Sequence, residues 1–414
     1  MGKGGSSYWL IPFRRGLAWS LAVSVWLGAS ATAAAPGDIT NLGAHGGLLN
    51  SIGMGVNDAG QVAGYSFTPG DFGAVEGRAF RYTPGPGGGP ATLEDVGFPA
   101  SFATGINAAG QLAGYYNVKP SGGPAHGFLY TGAPGAGTFH DLGSLGGGTS
   151  YAYGINDAGQ ITGTATTAAR PQDGSAYIYT GVPVAGGAMS ELGPPGGGVS
   201  VGYAINNVGQ VAGTMRLPNG FDVAFLYTGA PTGGGTMANL GTLGGNLSQA
   251  VGVNNLGQVV GYSRLAGNSS ERAFLYSGTP GSGGTMTQLD TILGRNNYAE
   301  DINDAGVIVG WAPRPDFVTS ASRALLWSND AAHTLVDLDA WLDATNPAAG
   351  AQWTVLQATD ISNSGIITGL GLFNDGSGAR QRAFVLHGPT YVPEPGAAVV
   401  FAPLAVWALR RRRV

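Results

Sequence analysis

The residues best equipped for chemistry are acids in the later part of the chain, Glu300-Asp301-Ile302-Asn303-Asp304 and Asp337-Leu338-Asp339. A pair of carboxylates can cleave a glycosidic bond, one as acid and the other as base or nucleophile. Clustered carboxylates can also hold calcium. Two features argue against both roles. Asp301 and Asp304 fall on the turn positions of a repeated motif, and the full calcium-loop pattern is missing. The five histidines, His45, His126, His140, His333 and His387, make no His-x-x-x-His or similar metal spacing. No Gly-x-Ser-x-Gly elbow and no Gly-Lys-Ser/Thr phosphate loop occurs. No catalytic, cofactor-binding or metal-ligating residue is assigned, and the chain reads as non-enzymatic. A polysaccharide-active enzyme, glycosidase or lyase, and a ligand-binding sensor are the alternatives.

The elements that would position any site are repeats. Gly55-Val56-Asn57-Asp58-Ala59-Gly60-Gln61-Val62-Ala63-Gly64 returns six more times. Its anchor residue is Asn57, Asn107, Asn156, Asn206, Asn254, Asn303 and finally Ser362, at spacings of 50, 49, 50, 48, 49 and 59. A fixed period near fifty means stacked supersecondary units. In each copy apolar residues flank four turn residues such as Asn156-Asp157-Ala158-Gly159. Asn and Asp suit the early positions of a type I turn, and Gly takes the left-handed position that closes it, so the motif predicts a hairpin. Two further strands accompany each hairpin. One is aromatic, as in Ala79-Phe80-Arg81-Tyr82 or Ala224-Phe225-Leu226-Tyr227. The other carries Leu-Gly, as in Asp141-Leu142-Gly143 or Asn239-Leu240-Gly241.

Four strands in about 49 residues, seven times over, predict an all-β seven-bladed β-propeller. A β-solenoid is the alternative. The segment Asp38 to Gly43 is expected to pair with Ala383 to His387 and lock the ring. Unit seven carries about ten extra residues. Its insert, Asp339 to Gln357, holds Trp341 and Trp353 and is expected to cap the last blade; a sugar-stacking site is the alternative.

Composition agrees with an ordered repeat protein. Gly is 75 of 414 residues, yet apolar residues reach 43% and no period of three exists. Cysteine is absent, which excludes disulfides and thiolate chemistry. Setting aside Lys3, Arg14, Arg15 and Arg410 to Arg413 leaves 12 basic residues against the chain's 24 acidic ones. That sign argues against nucleic acid as a partner.

Both ends read as processing segments. In residues 1–35, Arg14-Arg15 precede the apolar stretch Leu17 to Leu27, and small residues follow. This is a secretory signal peptide pattern with cleavage after Ala33 or Ala34. At the other end, Val392-Pro393-Glu394-Pro395 precedes the apolar run Gly396 to Leu409 and Arg410-Arg411-Arg412-Arg413. Fourteen residues span only about 21 Å, a short transmembrane segment held by a cytoplasmic Arg cluster.

That order of motif, short span and basic end resembles the PEP-CTERM sorting signal of Gram-negative bacteria. The resemblance implies transient anchoring in the inner membrane, recognition by an exosortase and delivery to the outer surface or extracellular matrix. The repeat domain, 36–391, resembles over nearly all of 38–388 the HAF repeats of bacterial extracellular proteins, on Asp141-Leu142-Gly143-Ser144-Leu145-Gly146-Gly147, His126-Gly127-Phe128-Leu129-Tyr130 and Asn239 to Gly245. That family has no catalytic residues to carry over. The expectation is a secreted, surface-sorted, non-catalytic envelope or matrix component with a polysaccharide or a surface protein as its partner.

Overall fold

The computed structural model describes residues 34–390 except 69–76, 120–122, 182–185, 194–197, 230–234 and 315–321. The predicted signal segment through Ala33, the sorting motif Val392 to Pro395, the apolar run and Arg410 to Arg413 lie outside the described residues. Among the described residues no helix is long and apolar enough to cross a membrane.

Each repeat folds from its turn outward. Asn57 accepts from the N–H of Ala59 and Gln61 through its Oδ1, at 3.1 and 3.0 Å, and donates to Gln61 Oε1 at 2.9 Å. One side chain thus organises the whole turn, which is why the motif reads Asn-x-x-Gly-Gln. Gly60 closes it at φ 71°, a left-handed conformation that glycine adopts without a Cβ penalty. The hairpin strands on either side are Asn50–Val56 and Val62–Phe67. Gly64 is glycine for a different reason. A Cβ there would lie 2.2 Å from Ile52 O and 2.7 Å from the Phe80 ring. The aromatic third strand can cross the hairpin only where this side chain is missing.

The third strand is buried on both faces, so it reads as continuous apolar sequence rather than alternation. Phe80, Phe128, Tyr177, Phe225, Phe274, Leu325 and Phe384 are all fully buried. Each contributes about 2–3 kcal/mol of apolar burial. The fourth strand is outermost. In five blades it ends at the residue before the Leu-Gly pair, as at Thr138–Asp141, or its equivalent, as at Thr285–Gln288. Leu-Gly therefore marks the strand's exit rather than its middle. Asp141 Oδ1 accepts from Gly143 N at 2.8 Å and turns the chain inward, burying Leu142.

Seven such antiparallel sheets follow one another, giving a seven-bladed β-propeller. A parallel bridge, Asp222 to Leu247, links the fourth and fifth blades. The inner strands pack in sequence, and the last, Trp353–Ile361, packs on the first, Asn50–Val56. An open solenoid could not make that contact. The final blade is completed from the other end of the body, as expected: Ile39–Asn41 pairs antiparallel with Ala379–His387, setting Ile39 opposite Leu386 and Asn41 opposite Phe384.

Buried serines lock neighbouring blades. Ser51, Ser101, Ser150, Ser200 and Ser248 each accept from a third-strand N–H of the preceding blade, at 2.8–3.0 Å. Asn297 does the same for Ala273 N at 3.0 Å.

The insert of the seventh unit is helical. Helix α1 (Leu338–Thr345) is capped by Asp337, whose Oδ1 accepts from Asp339 N at 3.1 Å. Helix α2 (Pro347–Gly350) follows, with Asn346 accepting from Ala349 N at 3.2 Å. Leu338 and Leu342 are fully buried, and Trp341 packs against the same cluster. Trp353 is a core residue at 5% exposure. The insert packs over the sixth and seventh blades together rather than capping the last blade alone, and Trp353 is buried away from any sugar.

Candidate binding site in the ring channel

The inner strands build the site by alternation. On one side they place small buried residues against the neighbouring blade, as at Ser51 and Gly53 or Ser150 and Ala152. The opposite side faces the ring axis and stays half-buried: Ile52 and Met54, then Phe102 and Thr104, Tyr151 and Tyr153 in the next two blades. Tyr203 and Tyr298 continue this wall, with Glu300 beside Tyr298. A period of two over seven equivalent strands thus lines a channel with one chosen set of side chains.

That set is aromatic over much of the ring. Tyr65 meets Phe102 edge-on at 5.0 Å, and Phe102 stacks on Tyr115 at 5.0 Å. Tyr115 contacts Tyr151 at 5.1 Å, and Tyr153 contacts Tyr203 at 5.4 Å. A second run joins Tyr262, Tyr298 and Trp311, with centroids 5.1 and 4.5 Å apart. Gln249 accepts from Tyr262 and also hydrogen-bonds Tyr203, which ties the two runs together. Burial raises the Tyr115 phenol to about 12, with help from Tyr65 and Tyr151. Burial likewise raises the phenols of Tyr65, Tyr153, Tyr203, Tyr262 and Tyr298, so these hydroxyls are neutral hydrogen-bonding groups across the physiological range.

Glu300 is the acid of this wall. Its Oε1 accepts from Trp311 Nε1 at 2.7 Å. It lies deep in the ring, and burial pushes its carboxyl up to about 7; the Trp311 bond opposes that change and Asp301 adds to it.

Three to five residues further along the strands, about 10–17 Å at strand rise, the seven turns converge on a mouth. A cavity of about 200 Å³ lies there, lined by the anchor residues and by Asp58, Asp157, Asp304, Asn207, Asn255 and Asn363. Each anchor Asn donates from Nδ2 to the next blade's anchor carbonyl, from Asn57 to Asn107 O at 3.0 Å through Asn303 to Ser362 O at 3.2 Å. Ser362 has no amide to continue the series. Other groups close that seam. Asp360 Oδ2 accepts from Val56 N at 2.5 Å, Thr359 Oγ1 donates to Gly53 O at 2.7 Å, and Ser364 N donates to Asp58 Oδ1 at 2.7 Å.

Asp301 is not a turn residue as the sequence suggested. It sits on the inner strand two residues before its turn, and Asp360 occupies the same place in the next blade. Four of the five earlier blades put Gly55, Gly105, Gly154 and Gly252 there, where the adjacent backbone approaches to about 3 Å of a would-be Cβ, and the remaining one carries the small Ala204. The two carboxyls hydrogen-bond to each other, and burial together with the Asp301 charge holds Asp360 well above the ordinary carboxylate range. Asp301 Oδ2 also accepts from Ile361 N at 3.2 Å. Both acids are thus engaged with main-chain N–H groups across blade seams.

The other sequence candidates disperse. Asp337 caps α1 and pairs with Arg323 at 2.7 Å, and Asp339 pairs with Arg314 at 2.9 Å. His126 pairs with Asp141 at 3.0 Å on the rim, and His387 lies in the last blade. Among the described residues no group of three or more His, Cys, Asp or Glu side chains is placed to hold a metal ion. Ala34 lines a second cavity, about 270 Å³, together with His387 and Thr390 at the seam of the sixth and seventh blades. The channel aromatics were missed in the sequence. Their signal was the half-exposed alternation just before each Asn, visible only once the inner strand was identified.

No protein-family model and no curated protein matches the chain. Among solved structures, the β-propeller domain of the Trilobed protease from Pyrococcus furiosus, described as having an open velcro topology, aligns at 8% identity. It covers 83% of this chain and 96% of its own, with a TM-score of 0.47. A mutant of AofleA from Arthrobotrys oligospora aligns at 11% identity over 86% of this chain and 93% of its own, with a TM-score of 0.38. Likenesses this distant say nothing about role, and the propeller assignment stands on the seven sheets themselves.

Proposed function

We propose that the protein is an exported, surface-sorted, non-catalytic component of the cell envelope or extracellular matrix that binds polysaccharide through its ring channel. The observation that carries this reading is the arc of half-buried aromatics from Tyr65 to Tyr203 on the channel wall. Sugar rings present apolar C–H faces that stack on aromatic rings, and tyrosine adds a hydroxyl for the sugar's own hydroxyls. The non-catalytic part rests on the clustered acids, since Asp301 and Asp360 already serve the blade seams. The sorting part rests on Val392 to Pro395, the apolar run and Arg410 to Arg413, which an exosortase would process at the membrane.

A glycan array probed with the full-length protein in detergent tests the binding. Signals that disappear in a Phe102→Ala/Tyr153→Ala variant support the channel as the site, and a uniformly blank array counts against it. Cell fractionation with and without residues 392–414 tests sorting. The intact chain is expected at the surface and the truncated one in the periplasm; identical distributions would remove the sorting signal.

A further inference from the structure

The charge of the channel has one sign. Its wall positions on the inner strands hold one ionisable carboxyl, Glu300, and no Lys, Arg or His. The mouth adds Asp58, Asp157, Asp301, Asp304 and Asp360, again with no basic residue among those lining it. The guanidinium of Arg264 acts on the Tyr298 hydroxyl, and it is already matched. Arg264 Nε donates to Glu271 Oε1 at 3.1 Å, and Glu271 Oε2 accepts from the Tyr298 hydroxyl at 2.8 Å. Glu300 is matched by Trp311 Nε1, a neutral donor. Beside it Trp311 and Tyr298 stack at 4.5 Å with an interplanar angle of 27°, and Tyr262 stands edge-on to Tyr298. A carboxylate flanked by aromatic faces is the arrangement that receives an organic cation, through ion pairing and cation–π attraction together. Low-dielectric walls of one sign also concentrate cations and repel anions.

Resting on the polysaccharide reading above, we infer that the channel takes an amino-sugar polymer, with a protonated 2-amino group on Glu300 and its pyranose ring against Trp311 and Tyr298. The cation itself favours the charged form of Glu300 and offsets the burial that otherwise keeps its proton on; neutral sugars keep the stacking and lose this ion pair. Uronic acid polymers meet only like charge.

Calorimetric titration of the full-length protein in detergent tests this with three probes: hexamers of β-1,4-linked glucosamine, of N-acetylglucosamine and of galacturonic acid. The glucosamine hexamer is expected to bind most tightly and the galacturonate hexamer not at all. Glu300→Gln should weaken the glucosamine hexamer by about tenfold, the value of one charged hydrogen bond, and change the acetylated hexamer less than about twofold. Glu300→Asp, which keeps the charge, should retain the preference for the amine and serves if the Gln variant fails to fold. Unchanged glucosamine affinity in a folded Glu300→Gln variant overturns the inference. So does tighter binding of galacturonate. If the acetylated hexamer binds in a Phe102- and Tyr153-dependent way while Glu300 is silent, the polysaccharide reading survives and the amino-sugar inference falls. If no hexamer binds, both fall.

Discussion

Glu300 makes stability depend on pH in a direction opposite to ordinary acid denaturation. Its carboxyl is raised from 4.5 to about 7, chiefly by burial. The groups around it do not reverse this: Asp301 carries the same sign, Tyr298 and Tyr262 are neutral, and Trp311 offers one hydrogen bond. A carboxyl raised in the folded state holds its proton after the unfolded chain has released one. Its contribution is therefore complete below about pH 4.5 and is lost as pH rises through about 7. Every tenfold difference in proton affinity between the folded and unfolded chain is worth about 1.4 kcal/mol, so the full loss is about 3 kcal/mol above pH 8. Replacing Glu300 by Gln keeps the shape and an acceptor for Trp311 but cannot ionise. Thermal unfolding followed by circular dichroism from pH 4 to 9 should show the native protein losing stability between pH 5 and 8 more steeply than Glu300→Gln. The two curves should differ by up to about 3 kcal/mol at the alkaline end and converge near pH 4. Parallel curves over this range would refute the assignment of a buried, neutral-range carboxyl to position 300.

Asp360→Asn should likewise flatten the alkaline limb, because the amide oxygen can still accept from Val56 N while the repelling pair with Asp301 is gone; pH-dependent melting again reads it. Gly114→Ala would place a Cβ 2.1 Å from Phe102 O and 2.7 Å from the Phe128 ring, so it is expected to cost several kcal/mol or block folding, seen as a lowered melting temperature or insoluble protein. Asn156→Ala removes the acceptor for Gln160 N and the donor to Asn206 O and should cost about 1–3 kcal/mol in denaturant unfolding. Ser362→Asn would restore the missing amide at the closing seam and should raise stability by about 1 kcal/mol in the same assay.

The fold was largely legible because its rules are local. Asn57 sets its turn with atoms no more than four residues away, and the turn dictates the hairpin. Phe80 and its six counterparts are buried on both faces, which shows as unbroken apolar sequence. The Leu-Gly pair misled by a residue or two, since burial of Leu142 as the chain turns inward looks in sequence like the middle of a strand. Ser362 and Asp360 stood out as departures from the repeat, but a departure alone does not say what it contacts. The channel was hidden because Tyr65, Phe102 and Tyr115 come together from separate strands, two of them across a blade boundary.

The chain by itself determined seven units, their turns, and which strands are apolar, because turn chemistry and side-chain alternation act within a few residues. Only closure of the ring decided the rest. It brought Asp360 to Val56 across 304 residues, while packing of the sixth blade on the seventh set Asp301 beside Asp360. It also turned one side of every inner strand toward a common axis, where Glu300 and the tyrosines meet. Pairing along the chain sets each blade, but a channel is a property of blades facing one another.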